Sequence, residues 1–383
     1  MSGPLKGIRI VEMVGIGPCP FAAMMLADMG AEVIRIDRKP VPGAATPYPM
    51  FGTRFDVMAR GRRSLALDLK QPEGRELTLD LIAQADALIE GFRPGVMERL
   101  GLGPDVCMAR NPKLVYGRIT GWGQDGPLAK AAGHDLNYLA MSGLLHDIGR
   151  SDSPPPPPLN LIADGGGGGM MLAFGVLCGL LETRSSGRGQ VIDAAMLEGS
   201  ALLGAMIYGF KAFGAWTDAR GSNMLGGGAH FYDTYACADD KFVSVATIEP
   251  QFYALLLDLC DIRDPAFDAQ MDREKWPELK TKIASIFKSK PQQAWCELLE
   301  GTDACFAPVL DMDEAPQHAH HRARGTFIEL DGVVQPAPAP RFSRTVAEVG
   351  SGPARPGEHS EEVLRDWNVT SDTIEMLRRK NVI

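Results

Sequence analysis

No CxxC pair occurs in the chain, and its seven cysteines (Cys19, Cys107, Cys178, Cys237, Cys260, Cys296 and Cys305) are odd in number and scattered. Zinc ribbons and disulfide frameworks need paired thiols, so neither is expected, and the cysteines read as reduced core residues of a cytoplasmic protein. An excess of positive charge is also missing. With 39 Lys and Arg against 48 Asp and Glu, the formal charge is -9. Nucleic-acid binding is driven by clustered cations releasing counterions, so that class of partner is not expected. Long apolar runs are absent too. None approaches the length of a membrane span, and the opening MSGPLKGIRIVEMVG has no apolar stretch behind a basic one; neither a membrane partner nor a signal peptide is expected. The ending RKNVI is no peroxisomal or prenylation signal.

What is present is alternation. At 383 residues the chain is long for one core, and two domains are expected. Strand signals at 8–11, 32–36, 64–69, 87–89 and 114–119 alternate with helix signals at 21–29 and 73–84, and Gly30 falls where a helix terminator is wanted. Such βαβ order predicts an α/β fold with a largely parallel sheet. Pro154 to Pro158 reads as a stiff connector. A five-glycine run at 165–169 leads into apolar helices expected at 170–182 and 196–213, with a strand at 190–193 between them. A hairpin at 231–245 and helices at 252–260, 276–287 and 292–300 form a smaller α+β block. The expected organisation is a large domain over 1–195 completed by 325–383, a linker helix over 196–227, and a small domain with return linker over 228–324.

Several groups could carry chemistry. The turn Gly15-Ile16-Gly17-Pro18-Cys19-Pro20 mimics a dinucleotide fingerprint, with Asp37 twenty positions after Gly17. Pro20 occupies the third glycine position, so a NAD site is the weaker reading, and a turn offering amides to an anion or carbonyl remains open. Arg35, Arg38, Lys39, Arg54, Arg60, Arg62, Arg63, Lys70, Arg93 and Arg99 make a local basic excess in an acidic chain. They read either as a site for a polyanionic small ligand or as solvated loop charge. His318, His320 and His321 lie beside Arg322 and Arg324, which disfavours a cation site. His134 stands in GHDLNY after the loop GWGQDGP, Asp164 precedes the glycine run, and Glu249 sits in IEPQF, where a plain helix N-terminal acid is the bland reading.

The stretches GIGPCPFAAMMLADMGAEVIRIDR, LALDLKQPEG, FRPGVMERLGLGP, GHDLNYLAMSG, SSGRGQVIDAAMLEGSA, IEPQFY and DACFAPVL occur in this order. Together they closely resemble the α-methylacyl-CoA racemases of the family III CoA-transferase superfamily, over nearly the whole chain. The resemblance implies a Rossmann-like large domain, a small domain and an interlocked homodimer with its active site between subunits. It implies an acyl-CoA substrate and no cofactor or metal. Coenzyme A would be held by Arg38, by Leu67, Asp68, Leu69 and Lys70, by Arg99, and by Gly133, Asp135, Leu136, Asn137 and Tyr138. His134 and Asp164 would form the catalytic pair, with Glu249 orienting the histidine from the partner subunit. Gly165, Gly226 and His230 depart from the aromatic residue, aspartate and proline common in relatives, which bears on acyl specificity.

Those residue types suit the reaction so implied, interconversion of (2R)- and (2S)-2-methylacyl-CoA in fatty acid metabolism. The α-proton of a thioester is weakly acidic, so inversion needs a base on one face, an acid on the other and a donor for the enolate oxygen, for which the Asp135 amide is the candidate. Two rivals stand: a CoA-transferase with Asp164 as nucleophile, and a non-catalytic acyl-CoA-binding protein.

Overall fold

The structure, a computed structural model, describes residues 2–40 and 48–383. Two compact units are present. The first comprises Met1–Ser142, Pro158–Gly204 and Gly325–Ile383; the second comprises Gly143–Pro157 and Ala205–Arg324.

The first unit is built on six parallel strands: β1 (Arg9–Met13), β2 (Glu32–Arg38), β3 (Arg63–Leu67), β4 (Ala87–Glu90), β5 (Val115–Thr120) and β6 (Gln190–Ala195). Their spatial order is β3-β2-β1-β4-β5-β6. This is the doubly wound arrangement in which the chain starts at the centre and winds outward in both directions. The central strand β1 is buried from Ile10 onward, as a strand covered on both faces requires. Helices connect the strands: α1 (Pro18–Asp28), α2 (Pro72–Ile82), α3 (Val96–Arg99), α4 (Pro104–Arg110) and α5 (Asp135–Met141). Gly30 ends α1 as the sequence expects. At φ +96° it lets its own N–H reach Ala27 O and the Ala31 N–H reach Leu26 O, the paired bonds of a left-handed helix terminator.

The glycine run departs from the sequence reading. It does not precede the helix; it lies inside it, in a π-helix over Leu161–Met170 that continues into α6 (Met171–Ser186). The combined 26 residues are long and apolar enough to cross a bilayer, which the sequence reading had not anticipated. Leu172, Ala173, Val176 and Gly179 of α6 are nevertheless turned inward, with Gly179 against Val115 and Ile192 of the sheet. The single helix expected over 196–213 is two, α7 (Met196–Leu203) and α8 (Ala205–Phe213), broken at Gly204 and assigned to different units.

The second unit has a three-stranded antiparallel sheet, β7 (Tyr232–Ala236), β8 (Phe242–Ala246) and β9 (Phe306–Val309). With it go α8, α9 (Pro250–Leu259), α10 (Trp276–Phe287), α11 (Gln292–Leu299) and α12 (Ala319–Arg324). Its core is aromatic: Phe231, Tyr253, Phe267, Trp276, Phe287 and Trp295 are all buried. Compactness therefore places 143–157 with this unit and 196–204 with the first, where the sequence organisation has 143–157 in the large domain and 196–204 in a linker. The hairpin β10 (Phe327–Leu330) and β11 (Val333–Pro336), then α13 (Ser360–Asp366) and α14 (Ser371–Arg379), complete the first unit.

Candidate active site

In a doubly wound sheet, ligands bind beyond the carboxyl ends of the strands, where the winding reverses. Here β1, β4 and β5 deliver their following loops to one cavity of about 490 Å³. Gly17 and Pro18 come from the first loop, Phe92 and Arg93 from the second, and Gly121 and Trp122 from the third. His134, Tyr138, Asn160 and Asp164 complete it. A second cavity, about 770 Å³, lies against the ends of β2 and β3 and is lined by Arg38, Lys39 and Leu67 to Lys70. Phe92 lines both, so the two spaces adjoin.

Each loop is fixed by groups beneath it. Buried Glu90, at the end of β4, accepts the Phe92 N–H at 2.7 Å and takes Arg118 of β5 at 2.9 Å, and Arg118 also holds Glu98 at 2.8 Å. Thr120 accepts the Gly123 N–H at 3.0 Å, and Asp193 accepts that of Gln124 at 2.9 Å. Gly121 has no side chain because a Cβ there would lie 2.1 Å from the Tyr138 ring. Trp122 stands edge-on to the same ring, centroids 4.7 Å apart.

His134 is the N-cap of α5. Its N–H is accepted by Asn137 Oδ1 at 3.0 Å, and its carbonyl accepts the Asn137 N–H at 2.8 Å, a local closure that satisfies end groups the helix cannot. Asp164 lies in the first half of the π-helix. Asn160 Nδ2 donates to its Oδ2 at 3.2 Å, and Gly17 approaches so closely that a Cβ there would lie 3.5 Å from that oxygen. Burial raises the Asp164 pKa above the ordinary carboxylate value; the Asn160 hydrogen bond opposes the rise, nearby Asp135 adds to it and His134 works against it. The cavity thus holds an imidazole and a carboxyl group biased toward its neutral form.

The CoA-transferase family III profile matches residues 5–360. This chain belongs to family III. Among curated relatives, the mouse (Mus musculus) alpha-methylacyl-CoA racemase is 47% identical over 383 residues, covering 99% of this chain and 97% of the relative. The human (Homo sapiens) alpha-methylacyl-CoA racemase is 44% identical, with the same two coverages. Among solved structures, a CAIB/BAIF family protein from Brucella suis superimposes with a TM-score of 0.81 at 25% identity, over 96% of this chain and 100% of that one.

Not all positions that the family III resemblance assigns come together. His134, Gly133, Tyr138 and Asp164 line the first cavity, and Arg38, Leu67, Asp68, Leu69 and Lys70 the second. Arg99 lines neither; it is exposed at the end of α3, while Val96 of that helix and Leu100 just after it line the second cavity. Leu136 and Asn137 are exposed and line neither, and Asp135 is buried beneath the site. Glu249 is exposed at the start of α9 in the second unit. His230 is wholly buried in the second unit's core, so it cannot contact an acyl chain directly. Of the basic excess, three members fit neither reading given to it: Arg35, Arg60 and Arg62 are buried partners of Asp37, Asp28 and Glu12 at 2.8, 2.7 and 3.1 Å. Sequence reasoning missed Asn160. Its four-residue spacing from Asp164 is a helical signal, but the glycine run that follows argues against any helix there.

Proposed function

We propose that this protein is a 2-methylacyl-CoA racemase, inverting C2 of the acyl group by proton removal and return without metal or redox cofactor. The observation that carries the reading is the meeting of His134 with an Asp164 of raised pKa in one cavity, next to a second cavity with Arg38 and Lys70 at its wall. The near-full-length identity to racemases supports it.

In one direction His134 takes the α-proton while neutral Asp164 delivers one to the opposite face; in the other the roles exchange. A carboxyl group can serve both ways only when its neutral form is accessible near neutral pH, the bias that burial gives Asp164. The Asp135 amide, first in α5, is the donor proposed for the enolate oxygen, and Arg38 and Lys70 for the phosphates of coenzyme A, with Glu249 completing the site from a partner subunit. A homodimer accords with the helix formed by the end of the π-helix and α6, where Met170, Phe174, Leu177 and Leu181 form one exposed apolar stripe, the kind of surface that a partner covers.

The test is deuterium wash-in at C2 of a 2-methylacyl-CoA in D₂O with no second acid present. Exchange is expected for the native protein and a loss of about 10²–10⁴-fold for each of His134→Ala and Asp164→Ala, with CoA binding retained. A CoA-transferase using Asp164 as nucleophile would show no wash-in, and native-level exchange in either variant would remove that residue from the pair.

A further inference from the structure

Asp135 follows His134 directly and opens α5, yet its side chain turns inward and is 5% exposed. Oδ2 accepts the N–H groups of Ala163 and Asp164, both at 2.8 Å. Oδ1 is buried and has no hydrogen-bond partner among the described residues. The two amides belong to the opening turn of the π-helix, where backbone N–H groups have no acceptor within the helix itself. A neutral Asn or Ser would satisfy such donors. A carboxylate with one oxygen unpaired instead leaves charge in a poorly solvated place, a cost that calls for a reason.

We propose that the Asp135 side chain is a positioning residue: it pins the backbone of Asp164 to the helix start that carries His134, and holds a negative charge close to the Asp164 carboxyl group. This rests on the reading of His134 and Asp164 as the proton-transfer pair. Among the described residues, few groups act on Asp164. His134, Asp135 and Tyr138 come from α5, Asn160 from the residue before the π-helix, and Arg93, from the loop after β4, reaches Tyr138. The turn before α1 supplies Gly17 and α7 supplies Met196, both uncharged. Among them Asp135 alone adds like charge and so favours the protonated form of Asp164 beyond what burial achieves. One residue thereby sets both the place of the second acid–base group and its readiness to donate.

Two substitutions separate the two effects. Asp135→Asn keeps a carbonyl oxygen able to accept both N–H groups and removes the charge; Asp135→Ala removes both. Two readouts apply: wash-in at C2 from each enantiomer of a 2-methylacyl-CoA across pH, and the carboxyl titration of Asp164 by ¹³C NMR, assigned with Asp164→Asn. Asp135→Ala is expected to lower exchange about 10²-fold in both directions, as misplacement of a reacting group does. Asp135→Asn is expected to lose less, to shift the Asp164 titration to lower pH, and to slow chiefly the direction in which Asp164 is the acid. An Asp164 titration unmoved in Asp135→Asn, or native exchange in Asp135→Ala, overturns the proposal; should the alanine variant fail to fold, the asparagine titration decides alone. If the native protein shows no wash-in, the racemase reading fails, while the titration still decides whether Asp135 acts on Asp164.

Discussion

Inside the second unit, the hydroxyl of Tyr253 has a single hydrogen and gives it to the Phe267 carbonyl at 3.0 Å. Its contact with His230 Nε2 at 2.7 Å must then run the other way, with Nε2 donating, which fixes the tautomer. The second nitrogen, Nδ1, has no partner among the described residues and is buried among aromatic rings. Protonating it would create an unpaired charge there, and burial accordingly lowers the His230 pKa from 6.5 to about 4. An unfolded chain takes up this proton at a higher pH than the folded one. The stabilising contribution is therefore full above pH about 6.5 and is lost as pH falls toward 4, on the order of 3 kcal/mol in all. His230→Gln keeps an N–H for Tyr253 and does not titrate. Denaturant unfolding between pH 4 and 7 should show a shallower acid loss for this variant, and parallel curves would mean that His230 does not titrate as argued.

At the level of elements, the glycine run is a device for close approach. A Cβ on Gly199 of α7 would sit 1.8 Å from the Gly167 carbonyl oxygen, and one on Gly169 would meet Phe21 and the Pro18 carbonyl of α1 below 3 Å. The π-helix is thus pressed between α1 and α7, which is what carries Asp164 to the cavity. Gly199→Ala should cost at least about 2 kcal/mol in urea unfolding, since backbone would have to move. Gly209→Ala on α8, where no described residue lies within 4 Å, should be neutral or stabilising by about 0.5–1 kcal/mol; equal effects would show that helix contact is not what the glycines serve. This also explains what could be read in advance. The strands, α1 and its Gly30 terminator follow from local periodicity and turn chemistry, and the parallel sheet follows from their alternation. The π-helix and the burial of Arg35, Arg60 and Arg62 are set by contacts between segments far apart in the chain. His134 and Asp164 were identified by resemblance, whereas the inward turn of Asp135 is invisible to spacing, because a helix N-terminal aspartate ordinarily reads as a solvated end group.

Over the whole molecule, the exposed stripe of α6 makes a claim about assembly. Phe174→Glu and Leu181→Glu place charge on residues that are 64% and 67% exposed, so in a monomer they should leave the fold intact. In the proposed dimer they would bury charge at an interface. Sedimentation velocity should give a dimer for the native protein and monomer for the double variant, with wash-in lost alongside; a native protein that sediments as a monomer would refute the assembly. The order in which the first unit closes has a consequence during synthesis. Its sheet is complete once β6 has been made, yet Val363, Leu364, Trp367, Ile374, Leu377 and Val382 belong to the same core cluster as Leu65, Leu77, Leu88 and Tyr116. A ribosome adding roughly 5–20 residues per second reaches them on the order of 10–40 s later. Throughout that interval the nascent chain carries a finished sheet on which α2 and α4 are already packed but whose core cluster still lacks the α13 and α14 residues, so a premature stop anywhere between β6 and α13 should yield a product that chaperones retain and proteases clear rather than a shortened enzyme.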